Sequence, residues 1–351
     1  MLGNEAVMHV LSRIQDPELK RPLTDLDMIR SVHIDDGAVS IAVTLTVPGC
    51  PLKEKIAGDI RTAVGELEGV RSVEVTFDVM TEQQRDALKK KLGLRSSAGA
   101  AADTPVSFAK RFIAVSSGKG GVGKSTCTAN LAVALTRIGY KVGLLDADVY
   151  GFSIPRMLGL TGQPTQIDDK LVPLRWGGSL QAVSMGFFVN EDEPVIWRGP
   201  LLHKAINQFL TDVVWDELDF LLLDLPPGTG DVTITIAQAI PSAELLVVTT
   251  PQATATHVAG RVAKLAEKTK LRVIGVVENM AYFEHDGRKE YIFGRDGGKF
   301  LAEKLGVNLL GEIPLETSIR EGADNGQPVA SSGTAAQQAM FEGIARRIAS
   351  M

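Results

Sequence analysis

The stretch Ser116-Ser117-Gly118-Lys119-Gly120-Gly121-Val122-Gly123-Lys124-Ser125-Thr126 decides the fold of this chain. An apolar run, Arg111 to Val115, precedes it, and a run of small and helix-forming residues, Cys127 to Leu135, follows it. Strand, glycine-rich loop and helix in this order are the context of a phosphate-binding loop. The glycines let consecutive N–H groups turn toward one anion, and the helix adds the positive end of its dipole. The stretch therefore predicts that the chain binds a nucleoside triphosphate.

Two residues of the loop have distinct chemical roles. Lys124 supplies a point charge to the β- and γ-phosphates, and Ser125 supplies a hydroxyl to Mg²⁺. The alternative is a glycine-rich turn that holds a lysine by chance, but the complete G-x-x-x-x-G-K-S pattern with both flanks favours the nucleotide. The predicted nucleotide-binding residues of the loop are Gly118, Lys119, Gly120, Gly121, Val122, Gly123, Lys124, Ser125 and Thr126.

Lys119 is a second lysine at the start of the loop. Because Lys124 already serves the chain's own phosphates, we expect Lys119 to contact something else. The pattern resembles the deviant phosphate-binding loop of MinD-like ATPases that form dimers. That resemblance implies that Lys119 reaches the nucleotide of the partner, much as an arginine finger does. The alternative is a lysine solvated on a loop.

Length and composition bound the class of protein. The 351 residues favour two domains, and the apolar and charged fractions are typical of a soluble globular protein. The net charge of −5 shows no basic excess that would indicate nucleic-acid binding, although the charge sum does not exclude a local basic patch. We expect neither a signal segment nor a membrane helix, since no apolar run approaches about 18 residues. The cysteines, Cys50 and Cys127, are too few for a disulfide framework, so a reducing cytoplasm fits.

The first part of the chain predicts a small α+β domain at residues 1–80. Residues 3–14 have apolar side chains at helical spacing, and residues 39–47 alternate as a half-buried strand does. A helix is predicted at residues 53–67 and another alternating strand at residues 73–77. Residues 81–107 then read as a charged helix followed by an Ala/Ser/Gly-rich linker.

This small domain resembles one found in iron–sulfur assembly factors, often fused in front of an ATPase. The resemblance is carried by Asp16-Pro17-Glu18-Leu19 and by T-L-T-V-P-G-C-P at Thr44 to Pro51. Cys50 is predicted at the start of a helix, where the dipole lowers a thiol pKa, so it is the candidate iron–sulfur ligand. The alternative is a small, packed, inert cysteine. Cys127, in the helix behind the loop, is expected to be structural.

Residues 108–351 predict an α/β P-loop NTPase domain with a mostly parallel sheet covered by helices on both faces, because strands alternate with helices of ordinary length. Asp146 and Asp224 each end an apolar strand, and with Ser125 they are the predicted Mg²⁺ residues. In MinD-like ATPases the position of Asp148 orients the attacking water, so Lys119, Lys124 and Asp148 are the predicted catalytic residues. The alternative for the Asp146 to Asp148 segment is a turn that caps Ser153.

Further segments of this domain predict moving parts and a base site. Residues 148–155 and Pro226-Pro227-Gly228 are the expected first and second switches. The same MinD-like resemblance implies that Asn279 reads the adenine and that the loop beginning at Pro314 closes over it.

Four motifs resemble the Mrp/ApbC family of P-loop ATPases, the iron–sulfur cluster carriers, and the resemblance spans nearly the whole chain. The motifs are W-R-G-P at Trp197 to Pro200, D-L-P-P-G-T-G-D at Asp224 to Asp231, T-P-Q at Thr250 to Gln252 and E-N-M at Glu278 to Met280. The resemblance implies a cytoplasmic homodimer that uses ATP and Mg²⁺ and assists iron–sulfur cluster assembly or transfer to apoproteins.

The sequence departs from that family at its cluster ligands. Many members place C-x-x-C soon after E-N-M, and two subunits then bridge a [4Fe–4S] cluster. Residues 281–294 contain no cysteine here, and Glu284, His285 and Asp286 are poor replacements for thiolates. We expect a charged hairpin turn at this segment.

Two other functions stay open. One is a MinD/ParA-type positioning switch, although residues 335–349 lack the basic amphipathic stripe of a membrane-targeting helix, so no membrane partner is expected. The other is an ATP-gated assembly chaperone that holds no cluster.

Overall fold

The computed structural model describes residues 2–16, 21–45, 53–81, 84, 107–148, 151–167, 170–187, 199–228, 231–252 and 255–351. The chain divides into two compact units, residues 1–100 with 165–172, and residues 101–164 with 173–351. Cys50, most of residues 81–107, and Trp197 and Arg198 lie outside the described residues.

The first unit is built around a three-stranded sheet. Its elements are α1 (Asn4–Leu11), β1 (Ile29–Asp35), β2 (Ala38–Leu45), α2 (Lys53–Gly65) and β3 (Ser72–Val79). The strand order is β1-β2-β3, with β1 antiparallel and β3 parallel to β2. Alternation along β2 buries Val39, Ile41 and Val43 against the buried faces of the two helices.

A hairpin from later in the chain completes this unit. Its strands are β6 (Thr165–Ile167) and β7 (Lys170–Val172), which pair antiparallel. Ile167 is only 1% exposed and is part of the hydrophobic core of the first unit, against which Val172 also packs. The first unit is therefore discontinuous in sequence, and the hairpin interrupts the second unit.

The second unit is built around an eight-stranded sheet. The strands are β4 (Ala109–Ser116), β5 (Val142–Asp146), β8 (Leu174–Trp176), β9 (Leu180–Ser184), β10 (Leu218–Asp224), β11 (Glu244–Thr249), β12 (Arg272–Asn279) and β15 (Leu309–Ile313). Their order in the sheet is β15-β12-β11-β4-β10-β5-β9-β8, and every neighbouring pair is parallel except β8 with β9. A short hairpin, β13 (Phe283–His285) with β14 (Arg288–Glu290), follows β12.

Helices connect and flank these strands, which confirms the predicted P-loop fold class. They are α3 (Lys124–Arg137), α4 (Ile154–Met157), α5 (Gly199–Thr211), α6 (Asp231–Ala239), α7 (Ala255–Thr269), α8 (Gly297–Leu305), α9 (Thr317–Asp324), α10 (Val329–Ser332) and α11 (Ala335–Ala349). The central strands read as continuous apolar runs because helices cover the sheet. Within the described residues, none of these helices is long and apolar enough to cross a bilayer.

The register of the central strands determines which side chains meet at their carboxyl ends. Asp224 of β10 lies opposite Val115 of β4 on one side and Asp146 of β5 on the other. Asp146 in turn lies opposite Ser184 of β9. Since the carboxyl ends of parallel strands share one edge, the loop after β4 and both aspartates are brought to a single crevice.

Candidate nucleotide-binding site

The phosphate-binding loop forms one wall of a cavity of about 210 Å³. Most of the predicted loop residues line it, and Asp148, Ser153, Met157 and Pro227 close its other sides. The first and second predicted switches therefore both border the cavity. The second is tied to the loop directly, since Gly228 N–H donates to the Ser117 carbonyl at 2.9 Å.

The last glycine of the loop packs against Asn279. Gly123 has a φ of 78°, and a Cβ at this position would collide with the Asn279 amide nitrogen. That nitrogen donates to the Val122 carbonyl at 2.8 Å. Asn279 and Ile313 are register partners on β12 and β15, which brings Asn279 and the loop from Pro314 to the same edge of the sheet. Asn279 therefore braces the loop in this structure, and its reading of adenine stays a prediction.

Lys124, Ser125 and Asp224 form a buried polar cluster at the start of α3. Lys124 Nζ lies 2.7 Å from Asp224 Oδ1, and Ser125 Oγ donates to Asp224 Oδ2 at 2.5 Å. Thr128, one turn along the helix, donates to Asp224 Oδ1 at 2.8 Å. Asp224 and Thr128 are both 0% exposed. The carboxylate is thus ionically paired and hydrogen-bonded, as a buried charge requires.

Asp146 accepts hydrogen bonds from several directions. Its Oδ2 accepts from the Ser184 hydroxyl at 2.9 Å and from the N–H groups of Ser153 and Ile154 at 3.1 and 3.2 Å. Its Oδ1 accepts from Asp148 N–H at 3.2 Å. Complete burial, with the charge of Asp224 next, raises the pKa of Asp146 to about 7. Asp146 therefore lies at the end of β5 as predicted, and it also accepts from Ser153 N–H, the capping contact that was the alternative interpretation of this segment.

Asp148 faces the same cavity from the other side. It is 7% exposed, and its Oδ2 lies 3.8 Å from Lys124 Nζ. It also lines the cavity beside Ser153. A carboxylate near the space where the terminal phosphate must lie is suited to orienting a water, but that role stays a prediction.

Lys119 is held by the loop that follows β11. Its Nζ donates to the side-chain oxygen of Gln252, the last residue of the T-P-Q motif. On α7, Arg261 donates to the carbonyl of Gly118 at 3.3 Å. Gln252, in the β11–α7 connection, and Arg261, on α7, therefore bind two consecutive residues of the phosphate loop. Lys119 thus contacts its own chain in this structure.

The residues present fit a magnesium ion held mainly by a nucleotide. Mg²⁺ is usually bound by one or two carboxylates together with substrate phosphates and water, and not by a cage made of protein alone. Ser125 and Asp224 are in contact beside the loop, and Asp146 is the register partner of Asp224. Among the described residues, no group of three or more His, Cys, Asp or Glu side chains forms a separate metal site.

Comparison with protein-family models decides the family. The model of the NUBPL iron-transfer P-loop NTPase matches residues 109–349, most of the chain. This chain belongs to that iron-transfer NTPase family. The membership confirms the predicted ATPase and the resemblance to iron–sulfur carriers. A second model, the iron–sulfur cluster assembly protein, matches residues 4–77, where the sequence predicts the small domain.

Relatives of this iron-transfer NTPase carry a consistent description. An iron–sulfur cluster carrier protein of Mycobacterium bovis is 45% identical over 342 residues, covering 94% of this chain and 88% of the relative. A protein of the same description from Synechocystis is 45% identical and covers 99% of this chain and 98% of the relative. The carrier protein of Bacillus subtilis is 42% identical and covers 90% and 89%.

Solved structures place the fold among nucleotide-binding proteins. A nucleotide-binding protein from Archaeoglobus fulgidus, in complex with ADP, is 39% identical with a TM-score of 0.57, over 64% of this chain and 90% of that one. The MinC:MinD cell division complex of Aquifex aeolicus has a TM-score of 0.51 at 21% identity, over 69% of this chain and 96% of that one. The second likeness speaks for the fold alone.

Cys127 of this iron-transfer NTPase is unsuited to metal chemistry. It is 1% exposed, and burial, with the nearby charge of Asp224, raises its pKa to about 12. The thiolate is the form that acts as nucleophile and metal ligand, and burial disfavours that form here. Cys127 is buried as expected, and its structural role stays a prediction, whereas Cys50 falls outside the described residues.

The segment that lacks the usual C-x-x-C folds as the expected charged hairpin. Glu284 pairs with Lys289 and His285 with Arg288 across β13 and β14. Residues 284–290 are exposed, and Lys289 lies over the ring of Tyr282 at 3.7 Å. The charged side chains of the hairpin are therefore solvated, and the Lys289–Tyr282 contact is a cation–π pair.

Three side chains of the site are not identified by the sequence analysis. Thr128 and Ser184 are ordinary residues in a helix and a strand, and only the packing shows that they bond to Asp224 and Asp146. Gln252 did carry a signal, because it belongs to the T-P-Q motif, but the motif alone does not assign it a contact.

Proposed function

We propose that this iron-transfer NTPase binds and hydrolyses Mg-ATP as a homodimer and uses that cycle to assist iron–sulfur cluster assembly or transfer to apoproteins. One observation carries the nucleotide part of the proposal. The Lys124 ammonium and the Ser125 hydroxyl both contact Asp224 beside a cavity that the phosphate loop lines. In this structure Lys124 is paired with Asp224. In the complex with Mg-ATP, the Lys124 ammonium contacts the phosphates instead.

The roles of this chain's residues follow from that arrangement. The loop N–H groups and Lys124 bind the phosphates, while Asp224 orients Lys124 and Ser125 toward them. Ser125, Asp146 and Asp224 would hold Mg²⁺, which neutralises charge on the phosphates. Asp148, buried beside Lys124, orients the attacking water, and Pro227 of the second switch borders the same cavity.

Lys119 is proposed to act on the nucleotide of the partner subunit. Lys124 already occupies the position that serves the chain's own phosphates, and Lys119 instead bonds to Gln252. A lysine held by a neutral amide at the edge of the loop is released at lower cost than one buried in an ion pair. This supports a homodimer in which each Lys119 stabilises charge across the interface.

The cargo is proposed to be an iron–sulfur cluster bound weakly at most. The relatives are described as iron–sulfur cluster carrier proteins. The chain has only Cys50 and Cys127, and the latter is buried and protonated, so a dimer offers two Cys50 thiolates. Since a stable cluster takes four thiolates, an external thiol or an apoprotein client must complete the set.

The absence of cysteine in residues 281–294 favours one second candidate, an ATP-gated chaperone that holds no cluster. Anaerobic reconstitution with iron and sulfide separates the two, with iron counted in the parent, Cys50→Ser and Cys127→Ser. If the protein is a carrier, the parent should bind a labile cluster. Cys50→Ser should abolish that cluster, and Cys127→Ser should retain it. A parent that binds no iron, even with added glutathione, supports the chaperone. A stable cluster that survives Cys50→Ser refutes the Cys50 assignment.

Titration calorimetry with Mg-ATPγS tests the nucleotide site itself. Lys124→Ala should abolish most of the affinity, because the phosphates lose their only buried cation among the described residues lining the cavity. Lys110→Ala is the matched control, since Lys110 is an exposed lysine that pairs with Asp219 away from the cavity. Equal affinity in Lys124→Ala and the control contradicts the assignment.

A further inference from the structure

We infer that the β6–β7 hairpin couples the small first unit to the nucleotide site, so that nucleotide binding regulates that unit. The inference rests on the proposed function of the cavity. It starts from the discontinuity of the first unit: residues 165–172 interrupt the second unit in sequence, yet Ile167 is buried in the core of the first. The chain therefore passes between the units on both sides of the hairpin as well as near residue 100.

The chain that enters the hairpin begins at the nucleotide cavity. Ser153 and Met157 line the cavity, and the N–H groups of Ser153 and Ile154 donate to Asp146 Oδ2. These residues form the start and body of α4. The entering arm is thus attached to the predicted Mg²⁺ residue at its first turn.

The same arm stays fixed until shortly before the hairpin. Leu158 is buried in the core of the second unit, and Leu160 packs against that core. Between them, Gly159 approaches Gly326 so closely that a Cβ on Gly326 would meet the Gly159 backbone at 2.5 Å. Residues 161–164 alone then separate the anchored arm from β6, and four residues span at most about 14 Å.

The chain that leaves the hairpin returns to the same carboxylate. β8 begins at Leu174, directly after the Pro173 that follows the hairpin, and pairs with β9. β9 ends at Ser184, whose hydroxyl donates to Asp146 Oδ2 at 2.9 Å. Only Pro173 separates the hairpin from β8, and the strand pairing of β8 makes the leaving arm the stiffer of the two.

The two arms also touch one another beside the cavity. Gly186, just after β9, donates to Ser184 Oγ at 3.0 Å. A side chain on Gly186 would collide with the ring of Phe152, which belongs to the first predicted switch. Arms that share one carboxylate oxygen and pack against each other move together when either is displaced.

This geometry gives a physical route for regulation. Both arms donate to Asp146 Oδ2, so their bonds would change if a cation and phosphates bound beside that oxygen and altered the field there. Because the connections to the hairpin are short, a shift of the arms reaches Ile167 and the core around it. The small unit would thus respond to the nucleotide through the two arms.

Hydrogen exchange of the full chain, with and without Mg-ATPγS, tests this coupling. Peptides covering α1, α2 and the hairpin should change their exchange rate by at least about threefold with nucleotide, since the bonds that hold the arms to Asp146 change. Inserting Gly-Ser-Gly between Gly162 and Gln163 should remove this response while the affinity for ATPγS stays within about threefold. The matched control is the same insertion between Asp286 and Gly287, in the exposed turn of β13–β14, which should respond as the parent does.

A point variant gives independent evidence. Ile167→Ser should loosen the hairpin and remove the response, while Val32→Ser, at a half-buried position of β1, should leave it in place. A parent that binds ATPγS by calorimetry but has unchanged exchange in the small unit refutes the coupling. A response that survives the Gly162 insertion refutes the hairpin as its route. A parent that binds no ATPγS refutes the proposed function instead.

Discussion

Replacing Thr128 by valine removes one hydrogen bond from Asp224 and nearly preserves the shape of the side chain. Thr128 and Asp224 are both 0% exposed, and the hydroxyl lies 2.8 Å from the carboxylate oxygen. A hydrogen bond to a charged group contributes about 1.5–3 kcal/mol, and water cannot replace it at a buried site. We expect Thr128→Val to lower the free energy of unfolding by that amount. A domain of this size then melts about 3–12 °C lower.

The assay is urea unfolding of the nucleotide-free protein, followed by circular dichroism, together with thermal melts. Thr128→Ser is the matched control, because it keeps the hydroxyl and loses one methyl group, a cost of about 1 kcal/mol. The reasoning predicts that valine costs more than serine. It is refuted if Thr128→Val unfolds at the same urea concentration as the parent, or if the serine variant is the less stable of the two.

Three further predictions concern other groups of the site. Gln252→Ala should raise ATP turnover and Gln252→Glu should lower it, each by about fivefold, because the alanine frees Lys119 and the glutamate holds it by an ion pair. Steady-state kinetics in which both variants change turnover in the same direction contradict the idea that Gln252 restrains Lys119. Cys127 should resist iodoacetamide in the native protein and react only after unfolding, since its pKa is raised to about 12, and mass spectrometry of the native digest checks this. Burial raises the pKa of Glu278, so the stability contributed by its neutral carboxyl is full below the unfolded pKa of about 4.3 and is lost as pH rises through the folded pKa. Glu278→Gln should therefore become more stable relative to the parent as pH rises over that range. Equal urea midpoints of the two proteins at every pH contradict this prediction.

The sequence predicts the second unit well because its signals are local. A buried parallel strand is a continuous apolar run, and Asp146 and Asp224 stand directly at the ends of such runs. The spacing of strands and helices then gives the fold class, and the family comparisons confirm it. The small first unit is predicted less completely, because the sequence pattern does not indicate β1. This strand lies at the edge of its sheet, is mostly exposed and has no fully buried residue.

The partners of each site residue are harder to predict, because they come from segments far apart in the chain. Lys119 and Gln252 are separated by 133 residues, and Asn279 and Val122 by 157. No periodicity in either segment points to the other. The T-P-Q and E-N-M motifs mark these residues as special, but only the fold brings them to the phosphate loop.

By itself, the sequence determined that this protein has a phosphate-binding loop and where its buried strands end. Glycine placement, the lysine and the apolar runs are contiguous, so their physics needs no distant partner. Only the tertiary structure decided which atoms share the Asp146 carboxylate, that Lys119 rests against Gln252, and that Ile167 belongs to the core of the other unit. Those contacts depend on strand register and on side-chain packing between distant segments, which a linear pattern does not encode.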